Sequence, residues 1–228
     1  MEQSKGMTHS RLRIIAMLFM LCDHLWGTLF ISQEWLTCVG RMAFPIFAFL
    51  TAEGYRKTKN LKRYMGRLLI CAILSEIPFN WMISGSAIYP YHQNVLWTFL
   101  ISIFILWIID HIKIPKMMSL LIFAALGYVA GYAFMVDYYG VGILTVLMFY
   151  YLDDCENWDC RLHQAALMIV FNVWMLGGYC YNIFLFGISM MIPQQSFALL
   201  SLPFIWCYKG RKGWRGKGFQ WFCYAFYP

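Results

Sequence analysis

Long apolar runs separated by short polar loops fill this chain and restrict what it can fold into. The 228 residues are 61% hydrophobic and only 13% charged, whereas a soluble globular domain is nearer half apolar and a quarter charged. A helix of roughly 20 apolar residues is long enough to cross a bilayer. The pattern excludes a soluble enzyme, a disordered tail and a nucleic-acid-binding module, and it predicts an integral membrane protein.

Eight runs have about spanning length, and they predict an all-α polytopic helix bundle that forms a single domain over residues 1–228. The predicted spans are roughly Leu12–Ile31, Leu36–Tyr55, Tyr64–Ile83, Asn94–His111, Met117–Met135, Tyr138–Leu152, Leu162–Cys180 and Ile188–Tyr208. A further apolar segment, Phe219–Pro228, is too short to cross and is expected to be a truncated ninth span.

Basic residues predict the orientation of these spans. Lys and Arg concentrate before the first span and after the second, fourth, sixth and eighth spans. These segments share one side if every run crosses, and of the 18 basic residues only Arg41 lies elsewhere. Because basic loops stay on the cytoplasmic face, we expect an integral plasma-membrane protein with a cytoplasmic N-terminus. The same loops are expected to contact anionic lipid headgroups.

Ionisable residues inside the predicted spans are the functional candidates, because charge at membrane depth is costly. They are Asp23, His24, Arg41, Glu53 and Glu76, and all belong to the first three spans. The chemistry is therefore expected in the first half of the chain. The eight cysteines show no CxxC pattern, and no metal-ligand spacing is present, so we expect no metal site.

Arg13 and His24 are eleven residues apart, close to three helical turns, so they share one helix face about 16 Å apart. This geometry suits a long polar ligand that enters from the cytoplasm, with its anionic end at Arg13 and its reactive end at His24. Because unperturbed imidazole has a pKa near 6.5, His24 is a natural candidate for a general base. Two simpler interpretations stay open: Arg13 as a positive-inside anchor, and His24 as a hydrogen-bonded bundle histidine.

Asp23 and Arg41 are candidates both for the site and for a structural ion pair. The Asp23 side chain points about 100° away from its neighbour His24, so it need not orient the imidazole. We place Asp23 with His24 as a candidate catalytic residue and Arg41 with the candidate cofactor-binding residues. An Asp23–Arg41 pair that neutralises two buried charges is the alternative.

The remaining polar candidates form a predicted substrate-binding or structural cluster. Glu53 ends the second span after Pro45, which is expected to interrupt that helix, and Glu76 lies two residues before Pro78. Either glutamate could instead pair with a nearby Arg or Lys. Asn94 and Thr98 are four residues apart on one helix face, where they could bind an acceptor or bridge helices.

Several short segments carry a resemblance to a known family. They are Asp23-His24, Gly40–Phe49, Glu53–Arg56, Ser75–Phe79, Gln93–Thr98 and Asp137–Gly140. Together they resemble the TraX family, named for proteins implicated in N-terminal acetylation of conjugative pilin. The resemblance extends from about residue 8 to the chain end, and the block from Gly40 to Arg56 carries most of its specificity.

TraX-like proteins are similar to a wider group of polytopic membrane acyltransferases, including bacterial sugar O-acetylases and the lysosomal heparan N-acetyltransferase. Many of those O-acetylases carry an Arg, ten residues and then a His in the first span, a spacing that Arg13 and His24 match. The resemblance implies acetyl-CoA as the donor, approaching from the cytoplasm, and His24 as the catalytic residue. It also implies that the CoA phosphates lie near basic residues such as Arg13, Arg63 and Arg67.

We therefore expect an acetyl-CoA-dependent N- or O-acetyltransferase that acts on an amine or hydroxyl acceptor, such as a peptide N-terminus or a small molecule. Its expected partners are membrane lipids, the CoA thioester and the acceptor, with no nucleic acid. Two alternatives stay open. An ion-coupled transporter would show repeat symmetry between the two halves, which the sequence lacks. A non-catalytic membrane assembly factor would use the buried charges only as structural pairs.

Overall fold

The computed structural model describes residues 6–154, 156–185, 188–211 and 213, and the chain is mostly helical. The α-helices are α1 (His9–Thr28), α2 (Glu34–Gly40), α3 (Ala43–Lys57), α4 (Leu61–Ser84), α5 (Val95–His111), α6 (Lys116–Ala133), α7 (Tyr139–Tyr151), α8 (Trp158–Ile169) and α9 (Leu202–Trp206). Strands β1 (Cys180–Leu185) and β2 (Ile188–Pro193) lie between a π-helical segment, Val170–Leu176, and a 3₁₀ segment, Gln194–Ser201.

The described residues group into two compact units. The first joins residues 6–47 with 152–213, and the second contains residues 48–151, so the boundary falls inside α3. The single domain expected from the sequence stays a prediction.

In the first unit, α1 packs against α2 at very short range. Gly40 is what allows this approach, because a Cβ added there would lie 2.4 Å from the Cβ of Asp23. The Thr8 hydroxyl caps α1 by accepting a hydrogen bond from the backbone N–H of Arg11. The Phe19 ring meets Phe204 edge to face, with ring centroids 5.6 Å apart.

The second predicted span is two helices, and the break does not lie at Pro45. The chain leaves α2 at Arg41, and α3 begins at Ala43. Pro45 is in the first turn of α3, where a helix has no need of its N–H, so the proline is tolerated there. Our expectation that Pro45 interrupts the helix was wrong for this reason.

The all-α prediction was wrong in the first unit, because β1 and β2 form an antiparallel hairpin with Tyr181 opposite Ile192. The seventh predicted span ends early: the Asn172 amide donates to the Met168 carbonyl, the backbone there is π-helical, and Gly177 then adopts φ 57°. The eighth predicted span begins with β2 and continues as 3₁₀ and short α-helix. The predicted segment Phe219–Pro228 lies outside the described residues.

The second unit is built on the strongly apolar helices α5, α6 and α7. Ile103 and Leu106 of α5 are fully buried, as is Phe149 of α7. Helices α6 and α7 approach closely at two glycines, since a Cβ on Gly131 would lie 2.4 Å from the backbone nitrogen of Gly140. Such small-residue contacts let helix backbones meet.

Two segments of the described chain, Glu34–Lys57 and Leu61–Ser84, are long and apolar enough to cross a membrane. The apolar helices Val95–His111, Met117–Ala133 and Tyr139–Tyr151 are shorter, at 10–17 residues each. The eight-span count, and with it the cytoplasmic N-terminus, is therefore not confirmed and stays a prediction.

Candidate functional site

An ion pair ties α1 to the end of α2 in the first unit. Arg41 Nη2 donates to Asp23 Oδ1 at 2.5 Å, and the Thr37 hydroxyl donates to the same oxygen at 2.9 Å. Thr37 is fully buried, while the Asp23 and Arg41 side chains are 28% and 16% exposed. The predicted Asp23–Arg41 pair is thus confirmed as a contact, and its partly buried charges are mutually neutralised.

The 3₁₀ segment joins this network through Gln194. Its amide nitrogen lies 3.3 Å from the Thr37 hydroxyl and 3.4 Å from the Tyr181 hydroxyl. Side chains from α1, α2, β1 and the 3₁₀ segment therefore share one polar network, in which the bonded residues Thr37 and Gln194 are 157 positions apart in the sequence. Thr37, Tyr181 and Gln194 were not among the predicted residues, because no local pattern marks them.

Arg13 and His24 lie on one face of the continuous helix α1, and both are half-buried. Within the described part of the chain, the Arg13 guanidinium has no hydrogen-bond or ion-pair partner. The Thr28 hydroxyl donates to the backbone carbonyl of His24, and this hydrogen bond does not involve the imidazole ring. Between Arg13 and His24 the same face carries Met17 and Met20, which are 5% and 8% exposed. The face between the two polar groups is thus packed with methionine.

The other predicted cofactor and cluster residues belong to the second unit. Arg63 and Arg67 are exposed in the first turns of α4. Glu53 is 3% exposed and accepts a 2.6 Å hydrogen bond from Lys57, as expected for a glutamate paired with a neighbouring lysine. A shared ligand for Arg13, Arg41, Arg63 and Arg67 stays a prediction.

Glu76 and Asn94 join α4 to the start of α5. The Asn94 amide donates to Glu76 Oε2 and to the Ala72 carbonyl, and the Trp97 indole donates to the same Glu76 oxygen at 3.0 Å. The alternative in which Glu76 pairs with an Arg or Lys is not what the structure shows, because its hydrogen-bond partners here are the neutral donors Asn94 and Trp97. Asn94 and Thr98 act as bridges, since the Thr98 hydroxyl donates to the Asp137 carbonyl at 2.6 Å.

Sequence reasoning missed a histidine–carboxylate pair in the second unit. His92 Nε2 lies 3.3 Å from Asp137 Oδ1, and the imidazole stacks on Phe79. The hydrogen bond that His92 donates to Asp137 raises the pKa of His92, partial burial opposes this rise, and the charges of Asp137 and Glu76 add to it. Tyr138 and Tyr139, which follow Asp137, have φ of 59° and 47°, a strained conformation for residues with side chains. The sequence signal that could have found this pair was Asp137, which begins one of the segments that carry the family resemblance, Asp137–Gly140.

The pKa of His92 in the folded protein is raised above its ordinary value of 6.5. The His92–Asp137 pair therefore contributes its full stabilisation of the fold at pH values below 6.5. Its contribution is lost as the pH rises through the folded pKa. We expect the wild type to lose more thermal stability than His92→Asn as the pH rises from below about 6.5 through the raised pKa of His92, as measured by unfolding of the detergent-solubilised protein. His163→Asn, at an exposed histidine of α8, is the control for loss of a histidine. Parallel pH profiles for the wild type and His92→Asn would contradict the assignment.

A comparison with known protein families identifies the family of this chain. The model of the TraX protein family matches residues 8–228. The chain belongs to the TraX family. The matched residues include α1 with Arg13 and His24. They also include the network around Asp23 and Arg41 and the contacts of Glu76 with Asn94.

A curated relative of this TraX-family chain is the probable fimbrial assembly protein FimC, serogroup H1, of Dichelobacter nodosus. The two are 28% identical over 234 residues, which cover 96% of this chain and 90% of the relative. No solved structure matches this TraX-family chain.

Proposed function

We propose that this TraX-family protein is a membrane acetyltransferase that moves an acetyl group from acetyl-CoA to an amine or hydroxyl acceptor. The observation that carries the proposal is the pair of polar residues on one face of α1, with a guanidinium that has no partner in the described chain. An unpaired, half-buried Arg is suited to bind phosphate with two parallel hydrogen bonds.

His24 supplies the chemistry in this proposal. Its imidazole takes a proton from the acceptor N–H or O–H as the acceptor attacks the thioester carbonyl. The C–S bond then breaks, the acetyl group stays on the acceptor, and the proton passes to the departing CoA thiolate. General base assistance of this kind requires a group that titrates near neutrality, which imidazole does.

Arg13 binds the phosphate end of CoA in this proposal, about 16 Å from His24 along α1. Met17 and Met20, which fill the face between them, are unbranched and adapt their side chains to an incoming chain more easily than branched residues do. Arg41 and Asp23 hold each other, so we assign them to positioning α1 and α2. Arg63 and Arg67 are further candidates for contacts to phosphate.

A binding assay tests the donor assignment without knowledge of the acceptor. At a hundredfold excess over its Kd, acetyl-CoA should stabilise the protein by about 2.7 kcal/mol, which is a rise in Tm of about 5 to 11 °C. Arg13→Ala should remove most of that rise. The measurement is thermal unfolding of the purified, detergent-solubilised protein with and without acetyl-CoA.

Arg11→Ala is the matched control, since Arg11 is an exposed arginine on the same turn of α1 that points about 200° away from Arg13. It should keep the full shift. No shift in the wild type at saturating acetyl-CoA would remove the donor from the proposal. Equal loss in both variants would mean that the basic end of α1 attracts CoA by charge alone.

A second candidate function is non-catalytic assembly, favoured by the name of the Dichelobacter nodosus relative, a probable fimbrial assembly protein. In that case the Asp23–Arg41 and Glu76–Asn94 contacts would be structural pairs only. Substitution at His24 would then be tolerated in fimbrial assembly as well as substitution at Leu18, which is 53% exposed on α1.

A further inference from the structure

An apolar groove of about 830 Å³ lies along α4 and α5 in the second unit. Met65, Gly66 and Leu69 of α4 line one wall, and Phe104 is the last residue of α5 that lines another. None of the described residues that line the groove is Asp, Glu, Lys, Arg or His. The volume is typical of a site that encloses a small organic ligand, and the walls favour an apolar one.

The surface of α4 that continues from the groove is exposed and apolar. Four branched apolar residues of this helix are each more than half exposed: Ile70, Ile73, Leu74 and Ile77. The helix itself, Leu61–Ser84, is long and apolar enough to cross a membrane. A helix of this length with so much exposed apolar surface is typical of contact with lipid hydrocarbon. Acyl chains are therefore the apolar groups that we expect beside the groove.

Lys62 lies on the face of α4 that lines the groove. It precedes Met65, Gly66 and Leu69 by three, four and seven residues, so all four share one helix face. Lys62 is exposed and has no hydrogen-bond or ion-pair partner in the described chain. Because helical side chains lean toward the helix N-terminus, its ammonium projects beyond that end of the groove. A cation is thus available there for an anionic group.

An exposed tryptophan lies at the same end of the groove on α5. Helices α4 and α5 run in opposite directions, because an indole near the start of α5 bonds Glu76, whereas Phe104 shares the groove with Met65. Trp107, three residues beyond Phe104, stacks on its ring with centroids 5.9 Å apart. Tryptophan is enriched at the depth of lipid headgroups. Lys62 and Trp107 together are therefore typical of the level at which a membrane lipid places its head.

We propose that the groove binds one acyl chain of an anionic phospholipid whose headgroup phosphate lies at the Lys62 ammonium. The apolar walls favour the chain, and the cation favours a headgroup with net negative charge over a zwitterionic one. The carboxylate of Glu76 lies toward the opposite end of the groove, so it is far from that phosphate. The inference concerns binding alone and needs no acetyl transfer.

The test is native mass spectrometry of the purified full-length protein in detergent, titrated with two lipids that carry the same two oleoyl chains. The lipids are phosphatidylglycerol, which is anionic, and phosphatidylcholine, which is zwitterionic. The Kd for the first phosphatidylglycerol retained should be about fivefold lower than that for phosphatidylcholine, as expected for one lysine near the headgroup. Lys62→Gln, which removes the charge, should bring the two Kd values within about twofold of each other.

Arg67→Gln is the matched control. Arg67 is an exposed arginine of the same helix, and it points about 140° away from Lys62. This variant should keep the preference of the wild type for phosphatidylglycerol. Equal losses of preference in Lys62→Gln and Arg67→Gln would overturn the proposal, because they would mean that the basic end of α4 attracts lipid by charge alone.

A second variant tests the groove independently of the lysine. Gly66 lines the groove, and a Cβ there would meet nothing within 4 Å, so Gly66→Leu should fold and fill part of the space. It should raise the Kd of both lipids by about tenfold, because the leucine takes the place of part of the acyl chain. Equal Kd values of the wild type for the two lipids, or unchanged Kd values in Gly66→Leu, would overturn the proposal. A lipid-free homodimer that Gly66→Leu dissociates would instead assign the groove to a second copy of the chain.

Discussion

His24→Ala is expected to lower acetyl-CoA-dependent acetyl transfer by about 10² to 10⁴-fold, the usual contribution of a general base. The variant loses the group that takes the acceptor proton, while Arg13 and the helix that carries it stay in place. The expected result is therefore a fall in kcat together with an unchanged thermal shift by acetyl-CoA. The measurement is release of free CoA thiol by the purified protein with a panel of primary amines and alcohols.

His163→Ala serves as the matched variant, because His163 is an exposed histidine of the first unit whose ring nitrogen lies 2.6 Å from the carbonyl oxygen of Asp159, one turn earlier. It should release CoA at the wild-type rate. Full activity of His24→Ala would exclude the imidazole from the reaction. A variant with normal kcat and a lost acetyl-CoA shift would instead assign His24 to donor binding.

Breaking the Asp23–Arg41 pair is expected to cost about 3 kcal/mol of unfolding free energy, the lower end of the range for buried pairs, because Asp23 is 28% exposed. Arg41→Ala leaves the Asp23 carboxylate and the fully buried Thr37 hydroxyl beside each other without their cation. Asp23→Ala removes the carboxylate that pairs with the partly buried Arg41 guanidinium. The measurement is denaturant unfolding of the two single variants and of the double variant.

The double variant should be less destabilised than the sum of the single variants, since it leaves no unpaired charge. The control is Glu156→Ala, which breaks the exposed Lys209–Glu156 pair and should cost less than about 1 kcal/mol. Additive single effects at Asp23 and Arg41 would show that the two side chains act independently, and a cost as small as that of Glu156→Ala would exclude a structural role.

Helix positions were predictable where hydropathy alone decides them. The predicted span Asn94–His111 differs from α5 by one residue at its start, and the predicted span Tyr138–Leu152 differs from α7 by one residue at each end. Each is a continuous apolar run with a clear beginning, and Asn94 caps α5 by accepting from the Leu96 N–H. The hairpin at 180–193 was not predictable in this way, since a short apolar run is compatible with helix or strand and only its pairing decides between them.

The contacts of the candidate site were predictable only in part. The Asp23–Arg41 pair was the alternative interpretation of two ionisable residues at membrane depth, and the structure shows that contact. A cation was an open alternative as the partner of Glu76, yet the groups that reach it are Asn94 and Trp97. His92 and Asp137, 45 positions apart, are outside the predicted spans and so were not treated as costly charges.

By itself, the sequence determined the apolar helices, the placement of Arg13 and His24 on one face of α1, and membership of the TraX family, because these depend on local hydropathy, helical periodicity and short motifs. Only the tertiary structure decided which polar groups meet: Thr37 and Gln194 with Asp23 and Arg41, Trp97 with Glu76, and His92 with Asp137. Hydrogen bonds act over about 3 Å, and residue spacing along a chain does not fix distances between separate helices.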